Sequence, residues 1–161
     1  EEQVQLLRQL WTQELVDFQG QEHNIPDAGI NPLPVQRPIP IWFGGQTEPA
    51  IRRMARLGDG WMPLAYPADD SALRAFDKLR GLIQAAGRKQ DDVGIEVWCS
   101  LGSDDPAAWR KEVGFWKSAG VTHITAHTTY ATGHHKRIAG KSAAEHLAAI
   151  KKFQAAVGDL L

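Results

Sequence analysis

The chain has 161 residues, 43% of them hydrophobic, and a formal net charge of −1, with an isoelectric point near 6.7. That length and hydrophobic share support one folded domain with a substantial core and exclude a disordered chain. The near-neutral balance gives no electrostatic basis for nucleic-acid or anionic-membrane binding, and a single cysteine, Cys99, excludes both a disulfide framework and a thiolate metal cluster.

In chain order, Val4, Leu7, Leu10 and Trp11 recur at helical spacing and predict a leading helix within 1–14. The opening Glu1-Glu2-Gln3-Val4 has no methionine, as expected of a chain entered partway through a larger protein. Residues 15–37 are punctuated by Pro, Gly and Asn and predict a short hairpin around Gly20 followed by an extended loop. Residues 38–161 then read as four βα units. "IPIWF" is the first strand, followed by a helix over 48–57 with Thr47 as N-cap and Gly58 beyond its end. "DGWMPLA" is the second strand, and its helix starts at Asp70 or Ser71 and ends at Gly87.

In the third strand, "VGIEVWCS", Val93, Ile95, Val97 and Cys99 alternate with Gly94, Glu96, Trp98 and Ser100. Pro106 opens the next helix, which carries Trp109, Val113 and Trp116 and closes at Gly120. "VTHITAH" is the fourth strand, and Ser142-x-x-Glu145 is a capping box for a last helix carrying Leu147, Ile150 and Val157. Alternating strands and helices imply a parallel sheet, and four such units make an α/β, (β/α)4 half of an eight-stranded TIM-type barrel. The whole of 1–161 is expected to be one domain. No stretch approaches the roughly eighteen apolar residues of a membrane span, no signal peptide is evident, and a reducing cytoplasm is the expected setting.

The stretch with the clearest chemistry is Gly44-Gly45-Gln46-Thr47, set between a strand and a helix. Glycines let the backbone approach a ligand closely, and the next amides lie at a helix N-terminus that favours an anion. The same residues also make a plain tight βα turn with a capping threonine.

Taken together, "LLRQLWTQELVDFQGQ", "NPLPVQRPIPIWFGGQTEPAIRRMARLGDGWMP" and "GKSAAEHLAAIKKF" resemble the C-terminal half of the luciferase-like monooxygenase family. The similarity is strongest to its deazaflavin (coenzyme F420)-dependent oxidoreductase branch and densest from Leu7 to Pro63. The resemblance implies a (β/α)8 enzyme that binds F420, or alternatively FMN, at the C-terminal strand ends. Gly44, Gly45, Gln46 and Thr47 would then hold the cofactor phosphate. The strands that complete the ring pocket in full-length members have no counterpart here, so catalysis by this chain alone is not expected, and no catalytic residue is assigned.

Alternation on the fourth strand sends His123, Thr125 and His127 toward the barrel interior, with Glu96 and Trp98 inward from the third. Glu96 and His123 are expected to form a polar pair. His127, near the strand's C-terminal end, and the adjoining Thr128 are the substrate-pocket candidates, with "TTYATGHHKR" a possible lid. His134-His135 reads as a solvated loop without a metal, Cys99 as a small buried hydrophobe, and Asp59 as a turn acid bonding backbone. A half-barrel would leave its inner sheet face and edges bare, so a homodimer or a complementary N-terminal half-barrel is the expected partner, besides a small-molecule substrate. A phosphate-ester enzyme of another barrel family is disfavoured by the lack of a metal cluster or P-loop lysine.

Overall fold

A computed structural model describes residues 1–63 and 66–161; Leu64 and Ala65, the end of the second predicted strand, lie outside the described residues. The elements are α1 (Glu2–Thr12), a hairpin of β1 (Val16–Gln19) and β2 (Asn24–Ala28), then β3 (Trp42–Gly44), α2 (Glu48–Leu57), β4 (Gly60–Met62), α3 (Asp70–Ala85), β5 (Gly94–Ser100), α4 (Pro106–Ser118), β6 (His123–His127) and α5 (Ala143–Val157). Strands β3, β4, β5 and β6 form a parallel sheet in that order, and β1 pairs with β2 antiparallel. A parallel sheet with a helix after each strand is the α/β architecture of a (β/α) barrel segment.

Helix starts are fixed by local chemistry. Asp69 caps α3 through the Ser71 amide, one residue before the predicted start. Asp105 caps α4 ahead of Pro106, and Ser142 with Glu145 closes the predicted capping box of α5. Gly87 and Gly120 follow α3 and α4 with φ of 72° and 78°, a left-handed conformation that glycine adopts without a Cβ penalty.

The helices cover one face of the sheet with a dry core. Ile51 and Met54 of α2, Trp61 of β4, Phe76, Leu79 and Ile83 of α3, Ile95 and Val97 of β5, and Trp116 of α4 are all buried together. A second cluster joins Cys99, Leu101, Trp109, Val113, Phe153 and Val157, with the Trp109 and Phe153 rings edge-to-face at 5.6 Å. Fully burying a residue such as Leu79 or Ile83 contributes about 1.5–3 kcal/mol. Two helical faces differ from expectation. On α1 the buried residue is Leu6 while Leu7 is exposed; the helix packs against β1 of the hairpin. On α5 Leu147 and Ile150 are exposed, and Phe153 and Val157 carry the packing against α4.

Polar anchors tie the leading segment down. The Glu2 carboxylate accepts from the amides of Gln21, Glu22 and His23, which wraps the hairpin turn around it. Arg8 donates to the Leu57 carbonyl at 2.6 Å and to Asp59 Oδ2 at 2.9 Å, and that same carboxylate oxygen accepts from the Ile41 amide at 2.8 Å. Asp59 is therefore the turn acid that its position predicts.

The opposite, inner face is different. Trp42 lies flat across the first residues of β4 and β5, so that a Cβ at Gly60 or Gly94 would fall within its ring's contact surface; its edge meets His123 at 4.9 Å. Glycine at both positions is the sequence consequence of one tryptophan on the floor of the inner face.

Candidate functional site at the C-terminal strand ends

The β3–α2 turn is built by three local facts. Gly45 has φ of 98°, reserved in practice for glycine. Its carbonyl accepts from Trp61 Nε1 at 2.8 Å, which fixes the turn to the core. Thr47 occupies the N-cap position with φ −70° and ψ 150°, yet its hydroxyl makes no capping hydrogen bond. Among the described residues, the amides of Gln46, Thr47 and Glu48 make no hydrogen bond either. The space about Gly44 is open, with nothing within 4 Å of where a Cβ would stand. Donors without partners, a free hydroxyl and open space beside a helix N-terminus suit a small oxyanion. The negative charge closest in sequence, Glu48, is paired with Arg52 at 2.7 Å and with Lys78.

At the other end of the sheet, β5 and β6 pair Glu96 with His123, Trp98 with Thr125 and Ser100 with His127. Glu96 and His123 stand opposite one another but bond elsewhere. Thr125 Oγ1 donates to Glu96 Oε1 at 2.6 Å, and the His123 ring meets the Thr122 hydroxyl at 2.8 Å. Thr128 is not open either: its hydroxyl lies 2.6 Å from His146 Nδ1.

His127 sits within a ring cluster. Its centroid is 5.3 Å from Trp98, 6.1 Å from Tyr130 and 4.9 Å from His135, and Tyr130 meets Trp98 edge-on at 5.0 Å. Nε2 of His127 lies 3.3 Å from His135 Nδ1, while its own Nδ1 is buried without a hydrogen-bond partner among the described residues. Burial, and then the nearby His135 and His134, hold the His127 imidazole below its ordinary value and so favour the neutral ring. His134 is lowered for the same first reason, desolvation, followed by His135.

His135 corrects the expectation of a solvated His-His loop. It is 6% exposed, whereas His134 beside it is exposed. Behind the cluster, Glu112 of α4 accepts from Trp116 Nε1 at 3.4 Å and from Cys99 Sγ at 3.5 Å. Burial raises the Glu112 carboxyl, against the opposing pull of those donors and of His135. Cys99 is a buried free thiol pushed upward by burial and by Glu112, hence inert rather than nucleophilic. Among the described residues no group of His, Cys, Asp and Glu could hold a metal ion.

Sequence reasoning missed Glu112 and His135. The signal for Glu112 was present: it falls three residues after Trp109 and four before Trp116, on the buried stripe of α4. His135 had none, since loop burial has no period.

The family described as luciferase-like monooxygenase matches residues 1–159. A curated relative, the F420-dependent glucose-6-phosphate dehydrogenase of Intrasporangium calvum, is 30% identical over 152 residues, covering 91% of this chain and 44% of its own. The chain thus spans less than half the length of the curated relatives it matches, 36% for the enzyme of the same name from Kineococcus radiotolerans. Among solved structures, an F420-dependent secondary alcohol dehydrogenase in complex with an F420-acetone adduct aligns over 96% of this chain and 52% of its own, with TM-score 0.53 and 17% identity. A riboflavin lyase with modified FMN aligns over 71% and 31%, with TM-score 0.55 and 14% identity. These two likenesses concern the fold. Among the described residues, no helix is long and apolar enough to cross a membrane.

Proposed function

The chain belongs to the luciferase-like monooxygenase family, and on that premise we propose that it forms the phosphate-holding side of an F420-dependent oxidoreductase site, with FMN as the alternative cofactor. Gly44, Gly45, Gln46 and Thr47 hold the cofactor phosphate in this reading, and His127 with Thr128 borders the substrate. The observation that carries it is the β3–α2 turn, where the amides of Gln46, Thr47 and Glu48 have no partner among the described residues and the Thr47 hydroxyl caps nothing. The name of the 30% identical relative, an F420-dependent glucose-6-phosphate dehydrogenase, is what favours F420 over FMN. The cofactor, once bound, supplies the hydride chemistry. The chain's residues supply donors to the phosphate, an aromatic wall at Trp98 and Tyr130, and a neutral imidazole at His127.

The four parallel strands serve in this proposal as half of an eight-stranded barrel, so activity requires a complement to close it. A fluorescence titration with F420, and in parallel with FMN, tests the reading on the wild-type chain, Gly44→Asp and Gly45→Asp. Gly44→Asp is the cleaner variant because the space there is open and its φ is not left-handed. Saturable F420 binding, at least tenfold weaker in Gly44→Asp, is the expected result. Binding of F420 unaffected by either substitution would overturn the assignment to this turn.

A second reading, a non-catalytic module that self-associates through its inner sheet face, draws on one observation. That face carries the half-buried rings of Trp42 and Trp98 beside the exposed His123 and Thr125. Sedimentation at micromolar concentration tests it: a dimer supports this reading and a monomer removes it.

A further inference from the structure

His127 leaves β6 with one nitrogen engaged and the other sealed. Nε2 faces His135 Nδ1 at 3.3 Å, and Nδ1 is buried with no hydrogen-bond partner among the described residues. Two neutral tautomers satisfy the first contact. In one, His135 donates and His127 is left with a buried, unpaired Nδ1–H. In the other, His127 Nε2–H donates and the orphan is a lone pair. Orphaned buried N–H groups are the rarer and costlier of the two, so the second tautomer is favoured.

The surrounding charges lie on the His135 side of the pair. From α4, Glu112 lies near His135 with its two oxygens accepting from Trp116 and Cys99, and a neutral His135 ring offers His127 the Nδ1 lone pair that the second tautomer needs. From the loop, His134 stacks on His135 at 4.0 Å and is itself influenced by Asp69 ahead of α3. Lys111 and Glu112 line the same surface as His134. From β5, Trp98 brings a ring and no charge, and Glu96 is held by Thr125.

Resting on the reading that the β5 and β6 strand ends border the substrate, we infer that His135 is a positioning residue: it accepts the His127 Nε2 proton and so presents His127 Nδ1 as a bare lone pair for a hydroxyl-bearing substrate. The ligand class follows from the tautomer. A lone pair on a neutral ring is satisfied by a hydroxyl or an amide N–H, whereas an anionic group with no proton to give is repelled by it. Tyr130, 42% accessible, meets the His127 ring edge-on at 6.1 Å, and in this proposal it is the ring that moves aside to admit the hydroxyl.

The test is long-range proton–nitrogen NMR of the histidine rings in the full 15N-labelled chain. At pH 7.5 the wild-type His127 should carry its proton on Nε2, and it should remain neutral at pH 6.5, where a free imidazole is about half protonated. His135→Phe should convert the single tautomer to a mixture, and His135→Gln, which retains an acceptor oxygen, should restore it. A merely structural role for His135 would not distinguish those two variants. Titration with 2-propanol should move the Nδ1 resonance saturably, and acetate, a carboxylate with no proton to give at pH 7.5, should not at equal concentration. A wild-type Nδ1–H tautomer, a tautomer indifferent to His135→Phe, a response to acetate, or no response to 2-propanol would overturn the inference. The wild-type spectrum decides the tautomer even where a variant fails to fold. None of these readouts depends on cofactor binding, so a failed F420 titration and a failed tautomer assignment remain distinguishable.

Discussion

The two faces of the β3–β6 sheet are made of the same strands and follow different rules. Toward the helices, Trp61, Ile95, Val97 and Cys99 are sealed, each 4% exposed or less. Toward the interior, Glu96 and Trp98 are half-buried, His123 and Thr125 are exposed, and the polar groups bond to one another across the strands. An apolar face gains stability from every contact. A face of imidazoles, carboxylate and tryptophan gains little from burial and retains groups able to meet a ligand. The difference separates stability, which resides on the helix side, from the polar groups that the proposed function puts to use at the strand ends of the other.

The largest expected effect tests that division directly. Trp116→Ala on the helix side should cost about 3–5 kcal/mol, as a fully buried aromatic does, measured by urea denaturation. Trp98→Ala on the inner face should cost about 1–2 kcal/mol, the worth of its ring contacts, while disturbing ligand response at His127. Equal losses at the two sites would erase the distinction.

Gly60→Ala comes next, at about 1–3 kcal/mol, because its methyl would run into the Trp42 ring. In the Trp42→Val background the same change should cost much less, and a strictly additive double-mutant cycle would show that the ring is not the cause. Asp59→Ala should cost about 1–2 kcal/mol, since it strands the Ile41 amide and frees Arg8 from the α2–β4 turn.

The smallest effects are titrations. Glu145 is held to about 2 by the Ser142 hydroxyl first and then by the Ser142 and Lys141 amides. Its folded value lies below the unfolded one. Its contribution is therefore complete above the ordinary range near 4.5 and is lost as pH falls toward about 2. Carboxyl carbon shifts should follow that low midpoint, and a normal midpoint would mean that the capping box is open in solution. His127 has the same sign for a base: its folded value is lowered, so the native state binds fewer protons. Stability then declines as pH falls below the ordinary value of 6.5. Replacing His127 with Gln should flatten that part of the profile.

Much of the architecture is legible in the order of the residues. The period of two in β5 placed Val93, Ile95, Val97 and Cys99 on the buried face, and the glycine turn with the following helix at 48–57 appears at the predicted residues. The linked motifs from Leu7 to Pro63 placed the chain in its family. Such features are local: periodicity, caps and turn residues act through neighbours a few positions away. What only tertiary structure decided is long-range. Leu147 and Ile150 have helical spacing but remain exposed, and Phe153 and Val157 are buried instead. Glycine at 60 and 94 is explained by a ring that begins at residue 42. His135 is buried because its loop folds back onto His127 and Trp98, and Glu112 faces it from another helix. Sequence determines which residues can share a face. Only the packed chain determines which faces meet, because burial depends on neighbours brought together from distant positions.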